Sequence, residues 1–315
     1  MNDKKLTLND IARLSGVGKS TVSLVINNSE KVKKATRERV EAIIKQYGYT
    51  PSKAAQALRS QREKIIGVVV TRLDSASENQ AIRSILPHIY QQEYDAILME
   101  SLLDIKLLEA HLHVLEQRNV EGVILFGFSE VNKKIIKNWK NKLVLIASAL
   151  PEFASVTYDN AGAVKLLMEE MNNEGHRSVS YIGVTSNDIT TGSTRYQTYL
   201  AYCEKFGFQP IAALGDLSYQ SGYDLAKQIL TPQTSALICA SDTIALGAIK
   251  YIKEQNWEIK VGSIGSTPLM SFLQPDVMSV SLGYQEAGLK ASQLLMDMLR
   301  GESASEHVVI PCAFQ

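Results

Sequence analysis

From residue 64 onward the sequence alternates between short, unbroken apolar runs and stretches with helical periodicity. Ile65-Ile66-Gly67-Val68-Val69-Val70 is the first run, and others recur at 95–99, 122–126, 143–147, 179–183, 236–240 and 261–265. Runs without polar alternation belong to strands buried on both faces of a sheet. Helical patterns over 107–118, 161–172, 195–206, 219–230 and 243–255 lie between them. Repeated strand–helix units predict parallel sheets covered by helices on both sides. About six strands in each of two lobes is the expected arrangement. A chain of 315 residues is too long for one small core and fits two or three domains.

Several function classes are disfavoured at this level. No G-x-x-x-x-G-K-[ST] or G-x-S-x-G occurs, no G-x-G-x-x-G follows a strand, and no carboxylate pair stands out as acid and base, so no enzyme is expected. Cys203, Cys239 and Cys312 are scattered and odd in number, as expected of reduced cytosolic thiols. His111 and His113 lie two apart and point to different helix faces, so no metal site is expected. No apolar run approaches the ~18 residues that a membrane helix needs. The opening residues, Met1 to Thr7, carry no apolar stretch behind Lys4 and Lys5, so no signal peptide is expected and the protein should be cytoplasmic.

The formal net charge of +0 hides an asymmetry. Residues 1–64 carry 14 lysines and arginines against 6 acidic residues, and the remainder carries 19 against 27. A head of charge +8 on a body of charge −8 points to a polyanionic partner for the head. That head reads as three short helices. Thr7 can cap the first, with Asp10 closing a capping box, and Leu8, Ile11, Ala12 and Leu14 follow at helical spacing. Gly16 supplies the positive φ of a tight turn. A second helix starts near Lys19 and ends at Asn27-Asn28-Ser29, and a third runs from about Lys34 to Gln46. Two short helices joined by a glycine-containing turn make a helix-turn-helix. Ala12, Val17, Val22 and Val25 would hold it together, while Lys19, Ser20, Thr21 and Ser23 face outward, small enough to enter a groove about 12 Å wide.

The ordered run from Thr7 to Ser23 resembles the head-piece of lac repressor-type (LacI/GalR) regulators, as do Thr36-Arg37-Glu38-Arg39-Val40 and Tyr47-Gly48-Tyr49-Thr50-Pro51-Ser52. The resemblance implies a repressor with an N-terminal all-α helix-turn-helix domain at 1–50, a hinge helix at 51–63 and an effector-binding and dimerisation domain at 64–315. The last would be an α/β two-lobed, periplasmic-binding-protein-like domain, with lobes roughly at 64–160 and 161–286 and a C-terminal crossover. Its partner would be double-stranded operator DNA, bound by a homodimer because two-fold operators need two heads. Lys19 and Ser20 would face base edges, and Thr21, Ser23 and Asn27 would mainly hold phosphates, with Thr7, Lys53 and Gln56 also at the DNA. Leu58 stands where the family places an apolar wedge in the minor groove. Leu24 departs from the family, which usually has arginine there to pair with a guanine, so the operator is expected to differ.

In the body, the loops after strands carry Arg72, Glu78, Gly127, Ser148, Asp188, Thr190, Thr191, Arg195, Asp242, Thr243 and Tyr284. Singly, each is an ordinary polar loop residue. Their convergence in one interlobe cleft is what the resemblance implies. Val70 to Ser75, Leu125 to Phe128, Thr190-Thr191-Gly192, Asp242-Thr243 and Thr267 to Met270 resemble the trehalose-operon branch of the family. That branch implies no cofactor and trehalose 6-phosphate as the inducer, with Arg72 and Arg195 on the ligand, Glu78 on its hydroxyls and Tyr284 on a sugar face. Ser148 is a departure, because the branch carries an arginine toward the phosphate there. Two alternatives follow: Arg72 with backbone N–H groups near Gly127 stands in for it, or the ligand is a neutral disaccharide. A corepressor in place of an inducer also stays open, while a solute-binding protein or sugar-phosphate enzyme fits the pattern less well. The chain ends at Gln315 without a leucine-heptad tail, which favours a dimer over a tetramer.

Overall fold

The computed structural model describes residues 6–26, 29, 31–49, 64–185, 188–302 and 306–315. The chain divides into two compact units, residues 1–63 and 64–315.

In the first unit, α1 spans Leu8–Ser15, α2 Lys19–Ile26 and α3 Lys34–Gln46. The expected capping box is present: Thr7 accepts from the Asp10 amide while the Asp10 carboxylate accepts from the Thr7 amide. Gly16 ends α1 at φ 65°, a left-handed conformation that costs glycine nothing. Among the described residues of this unit, Ile11, Ala12, Val22, Val25 and Val40, one or two from each helix, form the buried core. The hinge expected at 51–63 lies outside the described residues.

The second unit holds two six-stranded sheets, ordered β11-β5-β4-β3-β1-β2 and β12-β10-β9-β8-β6-β7. In the first sheet β1 is Ile65–Val70, β2 Asp95–Glu100, β3 Gly122–Phe126, β4 Leu143–Ile146, β5 Ala154–Tyr158 and β11 His307–Ile310. In the second, β6 is Val179–Val184, β7 Ile211–Gly215, β8 Ala236–Cys239, β9 Lys260–Ile264, β10 Met278–Ser281 and β12 Ala313–Phe314. The expected strands and helices all appear with small shifts at their ends. Two long helices were not legible. α4, Ala76–Gln91, contains Pro87, and α12, Tyr284–Arg300, has a mixed polar pattern. Between them along the chain, α5 is Ile105–Gln117, α6 Lys133–Ile136, α7 Asn160–Asn173, α8 Arg195–Phe206, α9 Tyr219–Ile229, α10 Asp242–Glu254 and α11 Pro268–Leu273.

The chain crosses between lobes three times, and this corrects the lobe boundaries. The second lobe was expected to run to about 286 with a C-terminal crossover after it; the crossing falls before α12, whose Ala287, Ala291, Leu294 and Leu295 pack with Ile66, Ile85 and Val144 in the core of the first lobe. Strand β11 then joins the first sheet beside β5, and β12 returns to the second. The expectation of purely parallel sheets also fails at β12, which pairs antiparallel with β10. The reason is geometric. The parallel strands of both lobes end at the cleft, so a chain entering the second lobe from the first must run away from that cleft.

Candidate functional site

In the first unit the two faces of α2 are segregated. Val22 and Val25 are buried, while Lys19 and Ser20 are exposed, Leu24 is 38% exposed, and Thr21 and Ser23 are half-buried. Thus the side chains expected at a groove share the outward side of a helix clamped by its neighbours. Thr7 stands differently from the rest: its hydroxyl donates to Asp10 at 2.6 Å, so it serves α1 before any phosphate. Asn27, Lys53, Gln56 and Leu58 lie outside the described residues. Sequence reading did not find Arg37, whose guanidinium donates to the Ser29 carbonyl at 2.6 Å and ties the segment after α2 to α3.

In the second unit a cavity of about 420 Å³ lies between the lobes, and strand ends from both sheets line it. Of the expected residues, Arg72, Glu78, Gly127, Asp188, Thr191, Arg195 and Tyr284 reach its wall. Asp242 and Thr243 instead face an adjoining recess of about 150 Å³, which shares Arg72 and Tyr284 with the main cavity. Ser148 lines neither. Its hydroxyl is buried behind Gly127 without a hydrogen-bond partner, and a Cβ at Gly127 would collide with it. The Gly127 amide is not available to a ligand, because it donates to the Ile146 carbonyl at 2.8 Å. Of the backbone donors expected near Gly127 to stand in for an arginine at 148, the Gly127 amide itself is already used by the strand ladder. Thr190 belongs to the π-helical turn Ile189–Thr194, and only its backbone is described.

The charged groups are held individually. Glu78, one turn into α4, accepts from both the amide and the hydroxyl of Thr71. Burial raises its carboxyl pKa, and the two Thr71 bonds and the nearby Arg72 pull it back only in part. Arg72 leaves the end of β1, lies 3.8 Å from Asp74 and donates at 3.4 Å to the Leu217 carbonyl on the opposite lobe. Asp188 accepts from the Thr191 amide at 2.8 Å, which shapes the turn before α8. Asp242 is 4% exposed, and its two oxygens accept from the Ser263 hydroxyl and the Thr267 amide. Each of its oxygens thus already holds one internal donor, and it braces the loop after β9.

Arg195 opens α8 and is 3% exposed. Its Nε donates to Asn160 Oδ1 at 2.8 Å, and a second N–H reaches the Ala240 carbonyl. Tyr158 and Tyr284 meet edge-to-face at 5.1 Å on the cavity wall, each at a crossing between lobes. Burial raises the pKa of both phenols, so both are neutral donors near pH 7. Thr71, Tyr158 and Asn160 were not found from sequence. Tyr158 ends β5 and Asn160 lies two residues on, and the mixed composition of β5 hid the strand and so hid its mouth. The site therefore combines apolar ring faces with two cations and a few oriented acceptors, a lining suited to a polyhydroxyl ligand.

Comparison with known proteins agrees with both halves. Residues 7–52 match the family profile of bacterial regulatory proteins of the lacI family, and residues 63–315 match that of periplasmic binding proteins and the sugar binding domain of the LacI family. The chain is 47% identical over 308 residues to the HTH-type transcriptional regulator TreR of Escherichia coli K12, covering 98% of each. The solved trehalose repressor from Escherichia coli has 44% identity and a TM-score of 0.79, covering 80% of this chain and 100% of that one. The lac repressor dimer bound to operator and the anti-inducer ONPF, at 22% identity, has the same fold, with a TM-score of 0.88 over 99% of this chain and 98% of that one. Among the described residues no helix is long and apolar enough to cross a membrane. The chain belongs to the bacterial lacI family and is a DNA-binding transcriptional repressor, not an enzyme.

Proposed function

We propose that this repressor controls an operon for trehalose uptake or utilisation and leaves its operator when trehalose 6-phosphate fills the interlobe cavity. It acts in the cytoplasm as a homodimer, with residues 1–50 reading DNA, 51–63 as the hinge and 64–315 sensing the ligand. The observation that carries the reading is Arg195, a buried cation in the cavity wall whose hydrogen bonds to Asn160, the Ala240 carbonyl and Tyr284 all end on neutral oxygens. A buried charge not paired directly with a carboxylate is costly, and an anionic ligand group relieves that cost. Arg72, reaching across the cleft from β1, adds a second cation. Arg72, Arg195 and Tyr284 thus take the ligand, Glu78 and Asp188 orient hydroxyls, and Gly127 and Thr191 shape the wall. Lys19 and Ser20 face base edges, Thr21 and Ser23 phosphates, and Leu24 a thymine methyl or sugar.

The likeness to the solved trehalose repressor and to the sugar binding domain of the LacI family supports a trehalose-type ligand. The test is calorimetric titration of the purified protein with trehalose 6-phosphate and, separately, with trehalose, followed by operator binding with and without each. Tight binding of the phosphate with release of DNA upholds the proposal. Binding of trehalose alone makes the ligand a neutral disaccharide, the outcome in which the missing cation at Ser148 decides. Tighter DNA binding in the presence of either sugar makes it a corepressor.

A further inference from the structure

We infer that Asn160 is a specificity-determining residue: it holds Arg195 with a neutral amide and so leaves the guanidinium charge for a phosphorylated ligand. This rests on the phosphorylated-sugar reading above. Interior arginines are ordinarily paired with carboxylates. Here the partner is an amide, itself 8% exposed, at 2.8 Å from Nε. Its orientation is set, because Nδ2 donates to the Tyr158 carbonyl at 3.4 Å and Oδ1 must then face Arg195. The helix does not need this side chain. Asp159 already caps α7 by accepting from the Gly162 amide at 2.7 Å. Two acids of the same region make their printed contacts to neutral groups and not to Arg195: Asp242 to Ser263 and Thr267, and Glu78 to Thr71. Position 160 is thus where a carboxylate would fit most directly against Arg195, and the chain has the isosteric amide.

The test is Asn160→Asp, with trehalose 6-phosphate and trehalose titrated into the variant and the wild-type protein. The introduced carboxylate pairs with Arg195 and cancels its charge. The preference for the phosphorylated sugar is expected to fall roughly 10- to 100-fold, the worth of one hydrogen bond to a charged group, with little change for trehalose. Asn160→Ser, which keeps a neutral acceptor, is expected to retain the preference even where both affinities fall. A wild-type protein that binds the two sugars equally overturns the phosphorylated-ligand reading and this inference together. A wild-type protein that prefers the phosphate while Asn160→Asp keeps the same preference overturns this inference alone. So does an Asn160→Ser variant that loses the preference as fully as Asn160→Asp.

Discussion

Leu24→Arg is expected to change what the repressor reads. Leu24 stands on the outer side of α2 between Val22 and Val25, which carry the core, and is itself 38% exposed. Burying a whole leucine stabilises by about 1.5–3 kcal/mol, so the share at stake here is about 1–2 kcal/mol. The arginine stem retains part of that contact while its head moves into solvent or groove, leaving a net cost to the head of under about 1 kcal/mol. Against this, a guanidinium placed bidentately on a guanine contributes about 1–3 kcal/mol of discrimination, or roughly 5- to 150-fold per head. The assay is selection from a pool of randomised operators, at two salt concentrations, for wild-type and variant protein. The expected result is a new guanine preference at one position in each half-site. The competing outcome is an arginine that reaches a phosphate instead. That outcome raises affinity for every sequence alike and steepens the salt dependence by about one charge. A sequence preference identical to that of the wild type refutes the placement of residue 24 at a base edge.

Three further outcomes are expected. Ile11→Ala empties the centre of the five-residue head core and should cost about 2–5 kcal/mol; scanning calorimetry should show the transition of residues 64–315 unchanged while operator binding is lost. Glu78 has a raised carboxyl pKa, so its contribution to stability is fully present below the ordinary glutamate value and is lost as pH rises through the raised one. Glu78→Gln should flatten that fall in urea denaturation measured across acid to neutral pH, and parallel curves for the two proteins would count against it. Tyr199→Phe removes a hydroxyl that donates to the Val179 carbonyl at 2.9 Å and accepts from the Ile211 amide at 2.9 Å. It should destabilise the second lobe by about 1–3 kcal/mol, read as a lower midpoint in urea with effector affinity unchanged.

Much of this protein is written in local pattern. The capping box of Thr7 and Asp10, the left-handed Gly16 and the apolar faces of α1 and α2 specify the helix-turn-helix from residues within two turns of one another. The core strands β1, β3, β4, β6 and β8 are legible because burial on both faces demands unbroken apolar runs. Edge and crossover elements carry no such demand. β7 reads as alanine-rich, and β11 has one fully buried position among four. The paths of the three crossings were equally hidden, because α12 finds its partner in α4 some two hundred residues earlier, and no local preference encodes that. At the site, sequence placed most of the cavity residues at strand ends but could not say which were already engaged. Asp242 already holds Ser263 and Thr267, and the Gly127 amide is held by Ile146. Composition names the groups that can bind. Whether a donor or acceptor is still free depends on what the fold brings against it, because every buried polar group must be satisfied by whichever neighbour arrives. That is why the sequence alone determined the class of this protein and the chemistry of its two faces, while only the tertiary structure decided that Arg195 rests on the neutral amide of Asn160.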